Sequence, residues 1–179
     1  LLVWIPGNAY YLLLPLTAGL DASGDLRALM NLLMPALHTN SALSIVLVPY
    51  FARIINEKKI VTLKKMIINS LLVFTAISLL FWLILIAFGK DIIFLLYGTK
   101  YANYSTILWI IGLLPVSAGI VAVFGGALRA MERPDDIFKS YGITTFIALS
   151  IGLLLMLKLE VLGSAIALLM TSVSTMLAM

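Results

Sequence analysis

Four residues between Leu26 and Arg53 have the types and spacing to do chemistry inside a membrane: Arg27, Asn31, His38 and Ser41. On a helix of 3.6 residues per turn they share one face, and Asn40 falls on the opposite face. Arginine can donate two parallel hydrogen bonds to a phosphate. Asparagine and serine suit sugar hydroxyls, and the single histidine can hydrogen-bond or change charge. Polar groups at membrane depth are costly unless they face water or a neighbouring helix. Facing water makes this edge part of a transport pathway; facing a helix makes it glue. For Arg27 the plain alternative is a snorkelling side chain or an ion pair with Asp25. For His38 it is a neutral imidazole bonded to a neighbouring helix, and for Asn31 and Ser41 it is packing against the first span. Asn8 and Tyr11, earlier in the chain, either bond a substrate or satisfy carbonyls freed by Pro15; for Asn8 the second reading is preferred.

The elements that position these residues are membrane helices. The chain has 179 residues, 63% hydrophobic and 11% charged, where a soluble domain carries roughly 25% charged residues. Mean hydropathy is +1.13, and apolar runs of about 20 residues recur. The fold class expected is an all-α integral membrane bundle. Six transmembrane spans are placed at about 3–20, 28–52, 66–88, 105–130, 138–157 and 162–179, with an interfacial segment at about 90–97. Pro6, Gly7, Pro15 and Gly19 bend or unwind the first span and act as hinges; Pro35 and Pro49 kink the second and are hinges there. The third span is large and apolar throughout and faces lipid. Gly112, Gly119 and Gly126 recur at intervals of seven along the fourth and mark close helix packing.

Composition also excludes chemistries. Without cysteine there are no disulfides or thiolate metal sites, and one histidine rules out a multi-histidine metal centre. No catalytic residues, metal site or cofactor are expected. The net charge of +4 does not indicate nucleic acid, because the basic residues lie in short loops between spans. One set of alternate loops holds Arg53, Lys58, Lys59, Lys64, Lys65, Arg129, Arg133 and Lys139; the other holds Arg27, Lys90, Lys100 and Lys158. The richer set is expected in the cytoplasm, where its lysines meet anionic membrane lipids. Trp82 and Trp109 then lie near the outer interface and Trp4 near the inner one. All eight acidic residues fall in predicted loops or at span ends, so no intramembrane carboxylate is expected to couple ions. The chain begins and ends inside apolar runs and reads as a fragment of a longer membrane protein.

Several segments together carry a family likeness. WIPGNAYYLLLPLTAGLDASGDLRALMNLLMP followed by ALSIVLVPYFAR resembles the start of the second half of oligosaccharide flippases, in the polysaccharide-synthesis branch of the MOP superfamily. IIFLLYGTKY, GGALRAMERP and LGSAIALLMTSVS are similar to later segments of that half, so the resemblance covers essentially the whole chain. It implies one six-helix C-terminal lobe of a two-lobed transporter, with the N-terminal lobe absent from this sequence and the first and second spans lining a central cleft. It implies a multi-pass protein of the cell inner (plasma) membrane. The expected cargo is an undecaprenyl-pyrophosphate-linked oligosaccharide, flipped from the cytoplasmic to the periplasmic leaflet by alternating access for surface polysaccharide biosynthesis. The substrate-binding residues would then be Arg27, Asn31, His38, Ser41, Tyr11 and Asn8. The alternatives are a multidrug/cation antiporter of the same superfamily, an integral membrane enzyme acting on polyprenyl sugars, and a non-transporting membrane scaffold. An enzyme needs a carboxylate pair or an arginine–histidine cluster in its outer loops, which here are short.

Overall fold

The computed structural model describes residues 4–99 and 104–179, the side chain of Ser105 excepted. Val3, Lys100 and Tyr101, used in placing the first span and the outer loop, lie outside the described residues. The described chain is helical, without strands: α1 Ile5–Asn56, α2 Ile60–Tyr97, α3 Ser105–Ile111, α4 Leu114–Ala130, α5 Pro134–Ile147, a π-helical turn Ala148–Gly152, and α6 Leu153–Ala178. Four helical stretches are long and apolar enough to cross a bilayer: Ile5–Asn56, Ile60–Tyr97, Thr106–Ala130 and Pro134–Ala178. By length and composition this is the signature of a helical membrane protein.

Two of these stretches contain a residue with non-helical backbone, and at each the chain doubles back. In α1 it is Gly19, with φ +89° and ψ 170°, a combination open essentially to glycine. Four residues later the Ser23 hydroxyl donates to the Tyr11 carbonyl at 3.3 Å, whereas a continuous helix would hold these residues about 18 Å apart. In α6 the residue is Glu160, φ +49°. Beyond it Gly163 lies directly against the Leu155 carbonyl, leaving no room for a Cβ. Ser140 donates to the Ala178 carbonyl at 2.8 Å, and the Thr144 and Thr175 hydroxyls meet at 2.8 Å. These contacts pair the two sides of Glu160 antiparallel.

The prolines expected to kink α1 behave differently from Gly19. Pro6 sits in the first turn, where its missing N–H has no helical partner to lose. Pro15, Pro35 and Pro49 lie inside α1, and among the described residues Gly19 alone leaves helical φ/ψ there. Gly7 is helical and exposed.

Boundaries differ from expectation where charge was read as loop. The Arg53–Lys65 loop shrinks to residues 57–59, because Arg, Leu and Lys continue a helix readily. Segment 90–97, expected as a separate interfacial helix, forms the last turns of α2, which stops at Gly98 with φ +70°. Charge marked where the apolar run ends; for α2 it is Gly98 that marks where the helix ends.

Two apolar cores hold the bundle. The larger joins Leu26, Leu29 and Leu33 of α1 to Ile93, Leu108, Met156 and Ala165. The smaller gathers Phe51, Phe74 and Val123 near the basic end. Tyr10 is fully buried, and its hydroxyl donates to the Ala148 carbonyl of the π turn at 3.3 Å. It sits directly over Gly152, where a Cβ would meet the hydroxyl.

Candidate functional site, a polar face on the second limb of α1

From Leu20 to Asn56 α1 presents two chemically distinct faces. Arg27, Asn31, His38 and Ser41 are all exposed on the surface of the described chain. Together they run about 21 Å along the axis. His38 stands midway between Leu20 and Asn56. Met34 interrupts the series and Ile45 continues it at the same spacing, and both are exposed too. Asn31 and Ser41 are exposed, so the expected alternative that these two pack against the first limb is not what the structure has. The Ser41 hydroxyl is turned back onto the Leu37 carbonyl at 3.0 Å, as Thr39 is onto Pro35 at 2.8 Å.

Asn40 is the counterpart. It is 3% exposed, and its amide donates to the Pro115 carbonyl at 2.7 Å. That carbonyl also accepts from Ser78 at 3.1 Å. Asn40, Ser78 and Pro115 thus tie α1, α2 and α4 together, and Gly119 leaves the space: a Cβ there would lie 3.2 Å from the Asn40 amide nitrogen. This is interhelical glue.

Arg27 carries its charge without a carboxylate partner among the described residues. Its guanidinium lies over the Tyr11 ring, 5.8 Å from the centroid. At this distance the cation is drawn to the face of the ring, and a guanidinium so placed keeps N–H groups to donate elsewhere. The reversal at Gly19 makes this possible by folding the first limb back beside the second. Tyr11 and Arg27, assigned separately from sequence, therefore form one unit.

The alternative pairing of Arg27 with Asp25 does not occur. Residues two apart on a helix point to different sides, and Asp25 turns inward, 7% exposed. Its Oδ2 accepts the Tyr104 hydroxyl at 2.6 Å, and its Oδ1 is buried with no hydrogen-bond partner. One turn further on, the Tyr97 hydroxyl donates to the Ala28 carbonyl at 3.2 Å. The sequence reading placed Asp25 in a loop and missed a buried carboxyl. The signal available was spacing: Asp25 falls at intervals of four with the apolar core positions Leu29 and Leu33.

Asn8 does not serve the carbonyl freed by Pro15. A proline deprives the residue four before it of a donor, here Tyr11, and Ser23 fills that role. Asn8 instead donates to the Trp4 carbonyl at 3.0 Å and is not part of the Arg27–Tyr11 unit. Among the described residues no group of three or more histidine, cysteine or acidic side chains could hold a metal ion. Comparison of the chain with protein-family models, with curated proteins and with solved structures returns no match.

Proposed function

We propose that this chain is one six-span lobe of a two-lobed carrier, and that the polar face of α1 lines the gap between the lobes. The observation that carries the reading is the exposure of Arg27, Asn31, His38 and Ser41 on a helix otherwise built for a bilayer. Hydrocarbon does not tolerate such a row, so water or another protein surface must cover it. Six spans follow if the reversals at Gly19 and Glu160 each divide one long stretch into two crossings.

The cargo proposed is the one the sequence resemblance implies: an undecaprenyl-pyrophosphate-linked oligosaccharide moved across the inner membrane for surface polysaccharide assembly. Arg27, stacked on Tyr11 and free of carboxylates, suits the pyrophosphate. Asn31, His38 and Ser41, deeper along the same face, suit sugar hydroxyls. No bond is made or broken; the lobes rock, exposing this face to one side and then the other. Gly19 is the hinge candidate with a backbone to match.

The test is the triple substitution Arg27→Ala, Asn31→Ala and His38→Ala in the full-length protein. Membrane insertion should be normal and surface polysaccharide display lost. Normal display would refute the lining role. The buried carboxyl of Asp25 favours a second reading, a cation-coupled multidrug antiporter of the same superfamily. Cation-driven dye efflux from proteoliposomes lacking sugar-lipid would select it.

A further inference from the structure

A second site lies away from the polar face, in a cleft of about 460 Å³ between α2 and α3. We propose that it binds a membrane phospholipid with a zwitterionic primary-ammonium headgroup, phosphoethanolamine. The inference does not depend on the transport reading.

The cleft stands where the apolar run of α2 gives out. From α2 the lining is apolar at Leu85, Ile86 and Ala87 and charged at Lys90 and Asp91, and α3 adds Thr106 and Trp109. Gly89 lets the two helices approach: a Cβ there would lie 3.1 Å from Leu108. Apolar residues giving way to charge along the helix, with an indole beside them, is the pattern of a bilayer boundary. Trp109 is held there: its carbonyl accepts the Trp82 indole N–H at 2.9 Å, and Trp82 packs against Gly112.

Charge selects the occupant. Lys90 and Asp91 are exposed, and neither forms an ion pair with a described residue. The rim therefore offers one cation and one anion. An anionic headgroup would satisfy Lys90 but meet the Asp91 carboxylate. A phosphate followed by an ammonium satisfies both, the phosphate at Lys90 and Thr106 and the ammonium at Asp91. An ammonium with N–H groups hydrogen-bonds the carboxylate, and a trimethylated one has none to give. One acyl chain then continues down α2 past Ala87 and Leu83.

Native mass spectrometry of the purified, delipidated protein tests this directly, with dioleoyl phosphatidylethanolamine, phosphatidylcholine and phosphatidylglycerol offered in equal amounts. Phosphatidylethanolamine should be retained above the other two. Lys90→Ala and Asp91→Asn should each lower its retention on the order of twofold to fivefold, the range of ion pairs at a surface. Lys64→Ala, at the opposite end of α2, should not. Equal retention of the three lipids, or of phosphatidylglycerol and phosphatidylethanolamine, overturns the proposal. So does unchanged retention in the Lys90 and Asp91 variants. Should either variant lose helicity, the comparison of ethanolamine with its N-methylated series on the unaltered protein decides alone: stepwise loss supports the site and a flat series overturns it.

Discussion

Asn31 and Asn40 stand on one helix, carry the same amide and meet opposite environments. Asn40 is buried at the meeting of three helices and gives its amide hydrogens to Pro115 and Ser78. Asn31 is exposed, on the same face as an arginine whose charge no described carboxylate neutralises. Residue type marked both as unusual at membrane depth; azimuth separated them. The buried face is committed to holding the bundle, and the exposed face is left free to meet something outside it.

The sharpest way to break this contrast is at Gly19, whose reversal brings Tyr11 beneath Arg27. Gly19→Val should cost about 2–3 kcal/mol, because its φ of +89° is closed to a β-branched residue. No atom lies within 4 Å of a Cβ built there, so the loss is one of backbone rather than packing. Thermal unfolding in detergent measures it, and an unchanged midpoint would mean the reversal is not held by glycine.

Next in size is the pair of asparagines. Asn40→Ala should destabilise by about 1–2 kcal/mol, the upper range for polar contacts between membrane helices. Asn31→Ala should stay within about 0.5 kcal/mol, as for an exposed site. Equal losses in the two variants would erase the distinction between the faces.

The smallest effect belongs to the 57–59 turn at the end of the same helix. Hydrogen bonds from Lys59 and then Arg53 hold the Glu57 carboxyl below its ordinary range. A lowered folded value means the turn gains from ionised Glu57 at higher pH and loses that gain as pH falls through the folded value. Amide protection at residues 57–59, taken relative to the intrinsic exchange rate at each pH, should therefore fall in acid, and Glu57→Gln should flatten the dependence. Because Glu57 lies on the surface, solvent screens the pairing and only a local change is expected.

Much of this arrangement was legible in the sequence. Helical periodicity put Arg27, Asn31, His38 and Ser41 together and Asn40 across from them, since that depends on spacing alone. What it could not give were properties of a second element. The placing of Arg27 over Tyr11 depends on how the two limbs lie against each other, which the expected break between the spans at about 20 and 28 does not fix. The burial of Asp25 requires Tyr104 from a distant segment, and a carboxylate near a glycine-containing stretch reads as loop. Ser23 as the donor for the carbonyl that Pro15 strips was equally invisible, because the two residues meet only after the chain has turned. Charges at 53–65 and 90–91 were read as breaks, although their side chains are compatible with helix.

The π turn at Ala148–Gly152 has a consequence for the evolution and engineering of the bundle. Such a turn accommodates more residues than an α turn, so the chain carries surplus length at one spot, held open by the Tyr10 hydroxyl over Gly152. Deleting a single residue there would convert the stretch to ordinary α spacing while leaving the flanking segments close to their present azimuths, because the π turn absorbs its extra residue locally. The bundle thus has a built-in position at which its length can change by one residue without a helix being broken.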